Sequence, residues 1–181
     1  DAKTIDAVEI DENAYEQTVQ NFEGSHWADR LYGYHASFQE FANEIAAEAA
    51  TYDLIISNPP FYTDDFETKN AARNKARFAS ALSFENLLKG VSKIISENGV
   101  FTTIIPYKEE AYFIKLAAKY HLFLHRVCHV RGTATAAIKR SLLEFSLHSN
   151  EPLATTLTIE VIRHQYTQAY MNLTKDFYLK M

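Results

Sequence analysis

Two spacings of apolar residues alternate along this chain. Residues 4–10 form a short apolar run that reads as a buried strand, with Ile5, Ala7 and Val8 facing inward. Asp11 is placed to cap a helix whose Tyr15, Thr18, Val19 and Phe22 recur at the 3.6-residue period. Residues 31–36 suit a second strand. Ser37 and Glu40 then make an S-x-x-E capping box, and Phe38, Phe41, Ala42, Ile45, Ala46 and Ala49 share one face of the helix it starts. Residues 52–57 (Y-D-L-I-I-S) form an apolar strand that stops at Asn58-Pro59-Pro60, where two prolines forbid helix and central strand alike.

Beyond a polar loop, Phe84, Leu87, Leu88, Val91, Ile94 and Ile95 mark a strongly amphipathic helix. Gly99 lies in the turn after it, and residues 100–105 read as a β-branched strand. Residues 107–120 are helical by spacing, with Phe113, Leu116, Ala117 and Tyr120 on the apolar face. Residues 122–130, 141–149 and 155–163 read as three further strands without helices between them. Strand–helix repeats followed by antiparallel strands predict an open α/β sheet with a hairpin at one edge, in one domain spanning residues 1–181.

Composition narrows the class. The 181 residues are 47% apolar and 23% charged, a globular balance. No apolar run approaches the ~18 residues of a membrane span. Cys128 is the single cysteine, which excludes a disulfide scaffold and fits a reducing, cytoplasmic setting. Five scattered glycines exclude a P-loop or a G-x-G-x-x-G turn within these residues. The net charge of −5 hides a division: residues 1–67 carry a balance of −13 and residues 68–181 one of +8. From Ala111 to Leu143 there are Lys115, Lys119, Arg126, Arg131, Lys139 and Arg140 and no carboxylate. Such a segment is either a solvated face or a local surface for phosphates.

The chemistry is concentrated where the third strand ends. In an open α/β sheet, ligands bind beyond the carboxyl ends of strands. There the chain places Asn58, Pro59, Pro60, Phe61 and Tyr62 in succession. An amide oxygen and a carbonyl from a rigid proline can accept both N–H bonds of a planar, weakly nucleophilic amine such as that of adenine. This turns the nitrogen lone pair towards an incoming methyl group. Phe61 would stack on the base, a contact worth ~1–3 kcal/mol, and the base must leave its stack to enter. His121, His125 and His129 recur every four residues, but their setting reads as strand without a nearby carboxylate, so no metal site is assigned. Cys128 reads as a small buried residue, and Trp27 as a core or staple residue.

The segment resembles the (D/N/S)-P-P-(Y/F/W) motif of class I S-adenosylmethionine-dependent amino-methyltransferases. Further stretches are similar to the bacterial tRNA1(Val) (adenine(37)-N6)-methyltransferase family: D-A-V-E-I at 6–10, S-H-W-A-D-R at 25–30, S-L-L-E-F-S at 141–146, and the ending from Tyr166 to Met181. The resemblance covers essentially the whole chain. It implies a Rossmann-like sheet, S-adenosylmethionine as cofactor and tRNA as partner. It implies that Asn58 and Pro59 orient the amine, with Pro60 and Phe61 completing the catalytic tetrapeptide and Asn58 also meeting the cofactor. Glu9 would hold the cofactor ribose. Ser37 stands where the family usually has an Asp for the cofactor's adenine, and reads either as that contact or as a helix cap; Phe38 packs on the adenine or begins the apolar stripe. The family's first strand and Gly-rich loop should precede Asp1, the strand lying in the centre of the sheet. The domain is thus expected to be N-terminally incomplete, and residues 1–181 alone to bind the cofactor poorly.

Tyr62, Lys69, Arg73, Lys75 and Arg77 fall in a segment placed to close on a flipped base. With Arg126, Arg131, Lys139 and Arg140 they are candidates for tRNA contact. The same motif serves protein-glutamine methyltransferases, which would lack the basic face, and DNA adenine methyltransferases, which would need a target-recognition domain. A non-catalytic fragment or tRNA-binding module is the remaining alternative.

Overall fold

The computed structural model describes residues 2–59 and 82–178. Strand β1 (Ile5–Glu9) leads into helix α1 (Glu12–Glu23), which Asp11 caps by accepting the Ala14 N–H at 2.9 Å. A 3-10 turn (Ala28–Arg30) brings the chain into β2 (Leu31–His35), parallel to β1 from Ile5↔Leu31 to Glu9↔His35. Helix α2 (Phe38–Ala47) starts from a complete capping box. The Ser37 hydroxyl accepts the Glu40 N–H at 3.2 Å, and Glu40 Oε2 accepts the Ser37 N–H at 3.1 Å. The Ser37 hydrogen bonds also hold the Glu40 carboxyl below its usual range. Strand β3 (Tyr52–Ser57) follows, and after the interval to Leu82 the chain resumes in helix α3 (Phe84–Ile94), capped by Ser83.

Strand β4 (Ile95–Pro106) runs parallel to β3. It begins five residues before the predicted strand, because Ile95 already pairs with Tyr52 across a register shift. A 3-10 turn (Tyr107–Glu109) joins it to helix α4 (Glu110–Lys119). The remaining strands are β5 (Phe123–Arg131), β6 (Ile138–Ser146), β7 (Leu153–Thr158), β8 (Glu160–Ile162) and β9 (Gln165–Tyr166), followed by helix α5 (Gln168–Thr174). Strands β3 to β7 form one sheet in the order β3-β4-β6-β5-β7, while β1-β2 and β8-β9 are separate pairs. Strand β6 is antiparallel to both β4 and β5, and β8 is antiparallel to β9. Strand β7, however, pairs parallel to β5, where an antiparallel partner was expected. Alternating apolar positions do not encode the direction from which a strand enters a sheet.

The core lies between this sheet and α3 and α4. Leu87, Leu88 and Val91 of α3 meet Phe101 and Ile105 of β4, Phe113 and Leu116 of α4, and Leu143 and Phe145 of β6. Phe101 and Phe145 stack at 6.1 Å, and Phe84 meets Phe113 edge-on at 4.9 Å. Each fully buried Leu or Phe contributes about 1.5–3 kcal/mol through lost apolar hydration. A second cluster of Phe41, Ala42 and Ile94 carries the packing to Val8, Tyr52 and Ile55.

Some residues expected inside are outside. Ile5 is 47% exposed and Trp27 58%, so Trp27 is a surface residue. Cys128 is only partly buried, because it alternates with the buried Val127 along β5. Leu54 and Ile56 are exposed although Ile55 between them packs on the core. Among the described residues β3 ends its sheet and β1 pairs only with β2, so one side of each strand lacks a hydrogen-bonding neighbour.

Gly90 sets how closely α3 approaches α2. A Cβ there would lie 2.4 Å from Cε1 of the Phe38 ring. Gly90→Ala gains about 1 kcal/mol of helix propensity, against about 1–3 kcal/mol for overpacking. The variant is expected to melt a few degrees below the wild type in a thermal scan; a higher Tm would mean that the ring moves aside at no cost.

Candidate active site

Residues of β1, the start of α2 and β3 line one cleft of about 1060 Å³. Its walls include Asp6, Val8, Glu9 and Asp11 from the first strand and its end, and Ser37, Phe38 and Phe41 from the start of α2. Tyr52, Leu54, Ile56, Asn58 and Pro59 come from β3 and its end. The volume is at the upper end for a small-molecule site, and mixed apolar and polar walls are typical of one. Three carboxylates and no Lys or Arg line it among the described residues, which favours a ligand carrying positive charge.

Glu9 is fixed in place by its own backbone. Its Oε1 accepts the N–H groups of Ile10 and Asp11, both at 2.8 Å. The side chain therefore folds over the end of β1 instead of extending into solvent, and its carboxylate is oriented before any ligand arrives. Such preorganisation lowers the ordering cost of binding. Tyr52 donates its phenol hydrogen to Asp6. Burial, and then the bond to Asp6 and that carboxylate's charge, push the phenol well above its usual range, so Tyr52 stays neutral and keeps donating.

Five of the residues singled out in the sequence meet in this cleft: Glu9, Ser37, Phe38, Asn58 and Pro59. Asn58 is exposed at the cleft and Pro59 is buried. Ser37 is a helix cap here, its hydroxyl already occupied by Glu40. Pro60, Phe61, Tyr62, Lys69, Arg73, Lys75 and Arg77 lie outside the described residues.

The basic candidates separate into two groups. Arg126 pairs with Glu144 at 3.5 Å and sits opposite it in the β5–β6 register, at the level of Thr102 in mid-sheet. Lys139 and Arg140 are exposed at the start of β6. Arg140 is flanked by Pro106 of β4 and Val130 of β5, which puts it at the carboxyl ends of those strands. Arg131 ends β5 there, its Nε donating to Thr158 Oγ1 at 3.0 Å.

Two interactions escaped the sequence reading. The Asp6–Tyr52 bond joins residues 46 apart, and its only sign was an acid inside an apolar strand. His129, read as lacking a nearby carboxylate, has Glu110 Oε2 at 2.8 Å from its Nε2. The partner comes from the first turn of α4, 19 residues away. Among the described residues no group of three or more His, Cys, Asp or Glu is arranged to hold a metal ion.

No protein-family model matches the sequence. The tRNA1(Val) (adenine(37)-N6)-methyltransferase of Christiangramia forsetii is 48% identical over 181 residues, all of this chain and 75% of the relative. The chain belongs to the tRNA1(Val) (adenine(37)-N6)-methyltransferase family. A second member, from Flavobacterium johnsoniae, is 49% identical over 181 residues, covering 99% of this chain and 76% of its own length. Both matches run over the residues of the cleft and of the β5–β6 edge. Among solved structures, the predicted O-methyltransferase Atu636 of Agrobacterium tumefaciens superposes with a TM-score of 0.66 at 15% identity, over 94% of this chain and 76% of its own. That likeness is one of fold. No helix among the described residues is long and apolar enough to cross a membrane.

Proposed function

We propose that the protein transfers the methyl group of S-adenosylmethionine to the N6 amine of an adenine in tRNA, at position 37 of tRNA1(Val). The observation that carries this is the meeting of Glu9 and Asn58 in one acidic cleft, in a chain whose family relatives bear that activity in their names.

The residues present fit the cofactor. Asp6, Glu9 and Asp11 give the cleft a negative field suited to a sulfonium, and Glu9 offers an oriented carboxylate for a pair of ribose hydroxyls. Phe38 supplies an apolar wall for a purine ring, held by its close approach to Gly90. Ser37 serves this site through the helix it caps.

S-adenosylmethionine supplies an electrophilic methyl group when bound. Asn58 Oδ1 and the Pro59 carbonyl accept the two N–H bonds of the target amine and turn its lone pair towards the cleft. Held this way, the amine nitrogen would be the nucleophile for that methyl group. The cationic product nitrogen then releases its proton to solvent, so this chain needs no base acting before transfer. Pro60 and Phe61 complete the motif, with Phe61 stacked on the base. Tyr62, Arg73, Arg77, Lys139 and Arg140 contribute to holding the tRNA; Arg126 lies in mid-sheet beside Glu144.

The test uses the full-length protein with methyl-labelled S-adenosylmethionine and three acceptors: a tRNA1(Val) transcript, duplex DNA containing adenine, and a glutamine-bearing peptide. Label is expected in the tRNA alone. Label in the DNA or the peptide would replace this reading with the corresponding rival.

A further inference from the structure

At the end of β4 the chain makes one 3-10 turn, Tyr107–Glu109, before α4 begins at Glu110. Tyr107 is 42% exposed, and its ring stands edge-to-face on the His129 imidazole, with centroids 5.2 Å apart and an interplanar angle of 86°. His129 is held in turn by Glu110 at 2.8 Å, and the fully buried Ser141 donates to the same carboxylate oxygen. Three elements, β5, β6 and the start of α4, thus converge to brace one exposed aromatic ring.

The ring is also placed with respect to Asn58. Ser57 pairs with Thr103, so Asn58 lies one residue past that level and Tyr107 four. At ~3.3 Å per residue the Tyr107 backbone lies roughly 10 Å beyond Asn58 along the strands, and its ring packs on His129 of β5, on the side of β4 away from β3. That separation suits a nucleotide flanking the target, not the target base itself. Arg131, Lys139 and Arg140 occupy the same end of the sheet, where they suit the phosphates of a strand passing over Tyr107.

We infer that Tyr107 is the platform on which an unpaired nucleobase flanking the target adenine stacks, with His129 as a positioning residue that sets the ring's orientation. The inference rests on the proposed function for the identity of the target base. Its direct content is the binding of single-stranded RNA by a braced aromatic ring.

The test measures affinity of the full-length protein for a tRNA1(Val) transcript by fluorescence anisotropy, independently of methyl transfer. Tyr107→Ala is expected to weaken binding about 5- to 150-fold, the range a base–aromatic stack carries. Tyr107→Phe and Tyr107→Trp should restore it, while Tyr107→Leu, apolar but without a ring face, should not. His129→Ala should give a smaller loss that is less than additive with Tyr107→Ala. In kinetics the Tyr107→Ala loss should fall on the KM for tRNA, with kcat and cofactor affinity unchanged. Unchanged RNA affinity in Tyr107→Ala, or full restoration by leucine, would overturn the inference. Failure of the wild type to methylate tRNA would count against the proposed function, while the binding series would still decide the role of Tyr107.

Discussion

Asn58→Ala in the full-length protein is expected to lower kcat for methyl transfer by about 10²–10³-fold, the loss typical when one preorganised hydrogen-bonding group at a reacting centre is removed. Cofactor affinity should stay nearly unchanged, because the role assigned to Asn58 is to orient the amine. The residue is exposed at the end of β3 and, among the described residues, belongs to no core cluster, so its loss should leave Tm close to that of the wild type. Asn58→Asp keeps an acceptor oxygen in the same place and should retain much more activity than the alanine variant. Single-turnover transfer with pre-bound cofactor separates these effects. Wild-type kcat in Asn58→Ala would remove the residue from the mechanism.

The second large effect is on binding. Glu9→Ala should raise the cofactor Kd about 10- to 100-fold, corresponding to ~1.5–3 kcal/mol for hydrogen bonds to a charged acceptor. With saturating cofactor, kcat should be almost restored, since Glu9 is assigned to the ribose and not to the reacting atoms. Glu9→Gln keeps an oxygen for the Ile10 and Asp11 N–H groups but loses the charge, and should fall between wild type and alanine. Isothermal titration of the full-length variants reads this directly. Equal affinities in the wild type and Glu9→Ala would place the cofactor ribose elsewhere.

Local signals were the legible part of this sequence. Asp11 and the Ser37–Glu40 capping box announced their helices, and both caps form, because such bonds close within three residues. The stripe through Leu87, Leu88, Val91 and Ile94 named the face that α3 buries. Within the candidate site, Asn58 drew attention because it follows an apolar strand, where an α/β sheet exposes its ligands, while Glu9 was picked out by the family resemblance.

Long-range relations were illegible for a definite physical reason. Burial of Leu54 and Ile56 depends on what lies beside β3, and the same residues would read identically in a covered strand. The parallel entry of β7 beside β5 is set by the chain's path through β6, not by alternation in residues 153–158. Helix α5, seven residues long, is too short for a 3.6-residue period to stand out. Folding puts Glu144 opposite Arg126, a pairing that no spacing along the chain announces. The bracing of Tyr107 likewise joins positions 107, 110, 129 and 141, which no spacing rule connects.

The account stands or falls on where the methyl group goes. Nucleoside mass spectrometry of a tRNA1(Val) transcript, after incubation with the full-length protein and S-adenosylmethionine, locates it. One N6-methyladenosine per transcript at position 37, absent when that adenine is replaced by guanine, is the predicted result. A methyl group at another nucleotide, or none on the tRNA while DNA or a glutamine peptide is modified, would contradict the assignment of Asn58 and Pro59 to that amine.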